Sequence, residues 1–218
     1  MEYAVIIAGP SGGGKTTVAD ALIERLGNLE MSRSATTRER RGDGKDAEYI
    51  YLSSHEFSEA VSSGDMVEYT EYSGNMYGTR RCELSRILSE GKYPILVLDY
   101  NGVRSLKERL PYPVYAFYIY TSLSECEKRL RHREELTPPE KRRQGLLESR
   151  CAANVKDYSV LHTMAQLFDA YVENSSLDEC VCQIIDAIYV LKSGGEVMSA
   201  ERKAQITESF KKEAANNG

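Results

Sequence analysis

Apolar residues gather in short runs bounded by turn-forming residues, and these runs alternate with longer stretches of helical periodicity. The runs at 3–8, 30–34, 94–99, 114–120 and 169–172 predict buried strands. Three of the helical stretches open on a capping-box spelling: Ser53 with Glu56, Ser122 with Glu125, and Ser176 with Glu179. In that motif the serine and the glutamate satisfy backbone N–H groups that a helix start leaves free. Strands alternating with helices predict an α/β fold, a five-stranded parallel sheet flanked by helices.

Two stretches break the rhythm. Between 32 and 82, "EYIYLS", "DMVEYTEY" and "NMYGT" read as short strands joined by brief turns, which predicts a small mixed insertion. From 129 to 145, "RLRHREELTPPEKRRQG" is charged, contains Pro138-Pro139 and sits between two helical patterns, as a flap would. After Lys192 the chain turns polar, and only Ile206 and Phe210 stand at helical spacing, which predicts a final amphipathic turn. The predicted organisation is a core of 1–31, 83–124 and 152–192, an insertion at 32–82, a helical lid at 125–151 and a polar C-terminal tail at 193–218.

With 218 residues, 41% hydrophobic and 28% charged, the chain has ordinary globular usage and can build one core. A net charge of −5 argues against nucleic acid or an anionic membrane as partner, both of which need a basic face. No apolar run approaches the roughly 20 residues of a membrane span, and the first residues lack a secretory signal pattern. Five cysteines without a C-x-x-C pair predict reduced thiols in a cytoplasmic protein, and His55, His132 and His162 lie too far apart to suggest a zinc site.

"GPSGGGKTT", from Gly9 to Thr17, follows the first strand and opens the first helix, with Gly9, Gly14, Lys15 and Thr16 filling G-x-x-x-x-G-K-[ST]. Glycines at Gly12 and Gly13 beside Pro10 and Ser11 let backbone N–H groups turn toward phosphate oxygens at a helix N-terminus. Lys15 is placed to reach the β- and γ-phosphates, and the Thr16 hydroxyl to ligate Mg²⁺. GTPases, ATPases, kinases and motors share this cradle, so the acceptor must be read elsewhere. "SRSATTRERR" supplies Arg33, Arg38, Arg40 and Arg41 beside several hydroxyls, a cluster suited to a second phosphate.

The segments "GPSGGGKTT", "SRSATTRERR", "GKDAEYIYLS", "EYTEYSGNMYGT", "LDYNGVRSLK" and "ECEKRLRHR", in this order and nearly this spacing, resemble the guanylate kinases over about residues 3–175. The resemblance implies a P-loop nucleoside-triphosphate-binding fold and an enzyme that moves the γ-phosphoryl of ATP, with Mg²⁺, to GMP; dGMP is expected as a second acceptor because nothing in the sequence visibly reads the 2′ position. It maps ATP onto Gly9–Thr17 and Asn174, and the acceptor phosphate onto Ser34, Arg38, Arg41, Tyr49 and Tyr77 in the insertion. The base falls to Glu68, Thr79 and Asp99, and the lid arginines are Arg129, Arg133 and one of Arg142 or Arg143. Guanine offers adjacent N1–H and N2–H₂ donors beside the O6 acceptor, which a carboxylate and a hydroxyl can answer. Adenine lacks that donor pair, and in its place would leave Glu68 unpaired.

The chain departs from the family where a D-x-D pair is usual, since "ILVLDYNG" has Val97 at the first position and only Asp99 at the second. The loop before Tyr49 is about one residue shorter than usual, and the lid arginine spacing differs by one. Two other readings stand beside the first: a P-loop kinase of another phosphorylated small molecule, and a non-catalytic module that uses the acceptor cleft for a protein ligand. The first would not need Glu68 and Thr79, and the second would not need the complete Lys15–Thr16 motif.

Overall fold

The computed structural model describes residues 2–40, 47, 49–72, 74–139, 142 and 144–217. Strand β1 (Ala4–Ala8) is five consecutive buried apolar residues, as expected of a strand covered on both faces. The glycine-rich loop follows, and α1 (Lys15–Leu26) begins at the motif lysine. The chain continues through β2 (Leu29–Met31), β3 (Ser34–Thr36), β4 (Tyr49–Tyr51), α2 (Ser54–Ser62), β5 (Met66–Tyr72) and β6 (Asn75–Arg80). Then come α3 (Arg81–Ser89), β7 (Tyr93–Val97), α4 (Tyr100–Arg109), β8 (Val114–Tyr120), α5 (Leu123–Leu136) and α6 (Leu146–Val160). A 3-10 segment (Leu161–Leu167), β9 (Ala170–Glu173), α7 (Leu177–Lys192) and α8 (Ala200–Asn217) complete it.

Among the described residues the strands form two sheets: a parallel sheet of five in the order β2-β7-β1-β8-β9, and a mixed sheet of four in the order β4-β3-β6-β5. No described helix is long and apolar enough to cross a membrane. The α/β class and the mixed second sheet are those the sequence predicts. One predicted strand is not continuous. The run 30–34 divides into β2, whose Glu30 pairs with Pro94, and β3, whose Ser34 pairs with Tyr49 of the other sheet. No glycine or proline marks the break, because long-range pairing rather than a local turn ends β2.

By contacts the chain divides into two units, Met1–Ile6 with Ile23–Val114, and Ile7–Leu22 with Tyr115–Gly218. In the first, α2 covers the mixed sheet, where Phe57 and Ala60 pack with Ala35 and Met66, and with the partly buried Ile50, Leu52, Val61 and Met76. The Ser53 capping box is complete, with the serine hydroxyl accepting from Glu56 N–H and the glutamate accepting from Ser53 N–H. Ser122 and Ser176 each accept the N–H three residues on, but Glu125 is engaged by Arg129 instead.

Arg33, read from sequence as part of an anion-seeking cluster, is already paired. Its Nε and Nη2 donate to both oxygens of Glu83 at 2.9 and 3.0 Å, and Arg86 donates to the same carboxylate at 3.1 and 3.0 Å. Burial would raise the Glu83 pKa, but the arginine hydrogen bonds outweigh it and hold the carboxyl at about 2. Glu83 is 3% exposed, so losing its charge leaves two guanidinium groups without their buried partner. Glu83→Gln is expected to destabilise the fold by about 3 kcal/mol at pH 7 in urea unfolding. The unfolded carboxyl protonates near 4.5 and the folded one near 2, so the contribution is complete above 4.5 and disappears as pH falls through that interval. A difference between the two proteins that does not shrink from pH 4.5 to 2 would contradict this account.

In the second unit, β8 and β9 pair in parallel from Phe117↔Ala170 to Tyr120↔Glu173. Tyr118, Tyr158, Phe168, Tyr171 and Phe210 form an aromatic core. The last partner was the least visible in sequence: α8 is an 18-residue helix rather than a single turn, and it buries Lys203, Ile206, Thr207, Phe210 and Ala214 along one stripe. Threonine, alanine and the stem of a lysine fill positions where a pattern search looks for large apolar residues.

Candidate active site

The glycine-rich loop is held from three sides within the second unit. Asn154, buried on α6, accepts the Ser11 N–H at 2.7 Å and donates to the Ser11 carbonyl at 2.8 Å. Asn174, just beyond β9 and equally buried, donates from Nδ2 to the Gly13 carbonyl at 2.8 Å. On α5, the Cys126 carbonyl would lie 2.6 Å from a Cβ placed on Gly12, whose φ is +82°. Only glycine fits both that conformation and that approach. Gly14, at φ +90°, is closed to any side chain by Asn174 Nδ2 at 2.5 Å.

Lys15 folds back over the loop, and its Nζ donates to the carbonyls of Gly9 and Pro10, both at 2.9 Å. Burial lowers its pKa to about 8; Cys126 and Asp157 oppose the shift, and the positive charges of Arg133 and Arg150 add to it. A cavity of about 150 Å³ opens over the loop, lined by Ser11, Gly12, Gly14 and Lys15. Thr16 and Thr17 line it from α1, Arg133 from α5 and Arg150 from α6. Cationic side chains and the N-terminus of α1 around one concavity suit a polyanion.

The other arginines that the resemblance maps to a lid sit differently. Arg129 donates to Glu125 at 2.9 Å and to the Asn174 carbonyl at 3.4 Å, so it supports the strand end that carries Asn174. Arg142 donates to the carbonyls of Thr137 and Glu135 at the C-terminal end of α5, at 2.8 and 3.0 Å. It lines a smaller cavity of about 70 Å³ with Arg133 and Arg150. Arg143 and Arg41 lie outside the described residues. Sequence reasoning missed Arg150 and Asn154. The signal available for Asn154 was an amide inside a helix, in "CAANVKD", where asparagine is a poor helix former unless its side chain is used elsewhere.

In the first unit, β3, β4 and β6 gather the residues mapped to the acceptor phosphate. Ser34 pairs with Tyr49 across β3 and β4, and Tyr77 meets the Tyr49 ring edge-on at 6.3 Å. The Arg38 guanidinium lies 5.0 Å from the Tyr49 ring centre and donates from Nη2 to the Tyr51 hydroxyl at 3.0 Å, while its buried Nη1 has no hydrogen-bond partner among the described residues. An unanswered guanidinium nitrogen in a buried place is costly unless a ligand completes it. Arg40 stacks on the other aromatic ring, 4.4 Å from the centre of Tyr51.

The β5–β6 hairpin sets Glu68 opposite Thr79, and the threonine hydroxyl donates to Glu68 Oε1 at 2.6 Å. Burial raises the Glu68 pKa, the Thr79 hydrogen bond opposes that, and the Asp99 charge adds to it. Asp99 caps α4, accepting the Gly102 N–H at 2.9 Å through one oxygen. A half-buried carboxylate held on one side by Thr79 keeps lone pairs for a ligand's N–H groups.

Known proteins are similar to this chain in sequence and fold. The guanylate kinase of Clostridium perfringens is 36% identical over 135 residues, 62% of this chain and 62% of its own length. This chain therefore spans less than two thirds of that relative. The guanylate kinase of Rubrobacter xylanophilus is 30% identical over 193 residues, covering 88% of this chain and 96% of its own. The crystal structure of guanylate kinase from Anaplasma phagocytophilum superposes with a TM-score of 0.59 at 25% identity, over 92% of this chain and 89% of its own. The family described as guanylate kinase matches residues 1–190, which takes in the loop, the mixed sheet, α5 and α6, and the chain belongs to that family.

Proposed function

We propose that the protein transfers the γ-phosphoryl group of ATP to GMP, and to dGMP, giving ADP and the nucleoside diphosphate. The observation that carries the choice of acceptor is the half-buried Glu68 carboxylate hydrogen-bonded to Thr79 at 2.6 Å. In this reading Glu68 accepts guanine N1–H and N2–H, and the Thr79 hydroxyl turns to donate to O6. Asp99 adds negative charge near the same edge. Ser34, Arg38, Tyr49 and Tyr77 take the acceptor phosphate, and the free Arg38 Nη1 supports that role. Arg41, outside the described residues, belongs to the same proposal. Residues 32–82 then act as the acceptor-binding insertion and 125–151 as the lid.

The donor triphosphate occupies the loop. Lys15 leaves the Gly9 and Pro10 carbonyls for phosphate oxygens, while Arg133 and Arg150 neutralise charge from the lid helices. Asn154 and Asn174 hold the loop in shape, and Arg129 supports Asn174. The Thr16 hydroxyl, lining the same cavity, fits Mg²⁺: a hard oxygen donor suits an ion that keeps most of its waters and arrives on phosphates, so no protein cage is needed. Held at Thr16, Mg²⁺ would supply charge neutralisation of the polyphosphate. The acceptor phosphate, with a second pKa of about 6, is mostly dianionic at neutral pH and needs no general base.

The test is ADP release with ATP and Mg²⁺ in the presence of GMP, dGMP, AMP, CMP or UMP. GMP and dGMP are expected to exceed AMP in kcat/KM by at least about a hundred-fold, since adenine leaves the carboxylate unanswered. Comparable rates with AMP, or ATP binding without transfer to any of the five, would overturn the assignment.

A further inference from the structure

Helix α8 lies beyond the residues matched by the family, 1–190, yet it packs against α5, α6, the 3-10 segment and β9. Two of its side chains reach the elements that hold the phosphate loop. Phe210 stacks on Tyr158 of α6, ring centres 4.6 Å apart at 25°. The Tyr158 hydroxyl in turn donates to the Thr121 carbonyl at 2.6 Å, just ahead of α5. Almost one turn further along α8, Glu213 Oε1 accepts the N–H of Leu123 at 2.6 Å. Leu123 opens α5, and its N–H is one of the donors that a helix start leaves free; a carboxylate there also meets the positive end of the helix dipole.

The same two helices grip the loop. From α6, Asn154 holds both backbone groups of Ser11, and from α5, the Cys126 carbonyl and Leu130 side chain close on Gly12. A displacement of α5 or α6 therefore moves a direct contact of the loop, and positioning errors of about an ångström in such contacts are costly.

We propose that α8 is a positioning element for the donor-phosphate loop, with Glu213 and Phe210 as its positioning residues. The proposal rests on the reading of that loop as the ATP cradle. Its signature is selective, because the acceptor residues belong to the other unit: loss of α8 contacts weakens ATP binding and spares GMP.

The experiment uses the full chain with Glu213→Ala, Glu213→Gln and Phe210→Ala, each assayed well below its unfolding midpoint. Mg²⁺-ATP affinity is read by calorimetry, and KM for ATP and GMP from ADP release. Glu213→Ala is expected to raise the ATP Kd and KM about three- to ten-fold while the GMP KM stays within about two-fold. Glu213→Gln, which keeps an acceptor oxygen, recovers most of the loss. Phe210→Ala shifts ATP affinity in the same direction, and if it fails to fold the Glu213 pair decides alone. A lowered midpoint with ATP affinity within about two-fold of the parent would make α8 merely structural and overturn the proposal, as would equal rises in both KM values. If the parent binds ATP but transfers nothing to GMP, the functional assignment fails while the calorimetric comparison still decides the role of α8.

Discussion

Lys15→Ala is expected to lower the rate of phosphoryl transfer at saturating GMP by at least about a thousand-fold. The ammonium group's two hydrogen-bond acceptors are neutral carbonyls at 2.9 Å, and burial has brought its pKa down to about 8. It is therefore a protonated, poorly compensated cation at neutral pH, beside a cavity that Arg133 and Arg150 also line. Polyphosphate relieves that cost on arrival, and a γ-phosphoryl in flight relieves it most. Above pH 8 the free lysine loses its proton, so ATP affinity of the parent should fall as pH rises from 8 toward 10. Stability runs the other way. Between 8 and 10.5 the unfolded chain holds this proton and the folded chain does not, so the ligand-free protein gains stability with rising pH across that window. Lys15→Met, which keeps the stem, should then leave the urea midpoint unchanged or raised, because the Pro10 carbonyl retains the Gly13 N–H as donor. A loss above about 1 kcal/mol would show that the carbonyl contacts outweigh the buried charge. Substantial transfer by Lys15→Ala in single-turnover assays would remove the lysine from its proposed role.

The parts of the molecule that sequence discloses are those whose causes are local. The loop from Gly9 to Thr17 is contiguous, and its glycines mark where the backbone must turn. The strands β1 and β8 are unbroken apolar runs, and Ser53 with Glu56 carries its own instructions for starting α2. What sequence conceals depends on partners far along the chain. Arg33 reads as a free cation until Glu83, fifty residues later, takes its fork. The 30–34 run reads as one strand because the choice between Pro94 and Tyr49 as neighbours is made by tertiary pairing. Asn154 grips a loop 143 positions earlier, and nothing near it in sequence announces that. The hairpin register is also hidden: a shift between Met66 and Glu68 sets Glu68 opposite Thr79, and strict alternation along "DMVEYTEY" does not disclose it. Helix α8 stayed obscure because its buried stripe is small and partly polar, so its weight comes from the surface it meets.

Glu68→Gln should raise the KM for GMP about a hundred-fold while leaving that for ATP within about two-fold. The amide replaces one acceptor oxygen with a donor, so N1–H and N2–H can no longer both be answered, and one guanine donor faces another N–H. Thr79 keeps its place in β6, where it is 2% exposed, so the defect is confined to recognition and does not spread through the sheet. Selectivity should fall with affinity, because AMP never used the carboxylate and loses nothing when it is gone. The raised pKa gives a second readout. Burial and the Asp99 charge favour the neutral acid, so the parent should lose GMP affinity on acidification at a pH above the ordinary glutamate value of 4.5. The variant, having no proton to gain at this position, should lack that inflection. The same shift means that the ionised carboxylate opposes folding of the ligand-free protein, so Glu68→Gln should unfold at an unchanged or higher urea concentration. Steady-state kinetics with GMP, AMP and ATP across the acid range would decide the matter. Equal rises in KM for GMP and ATP, or an undiminished preference for GMP over AMP, would mean that the base is read elsewhere.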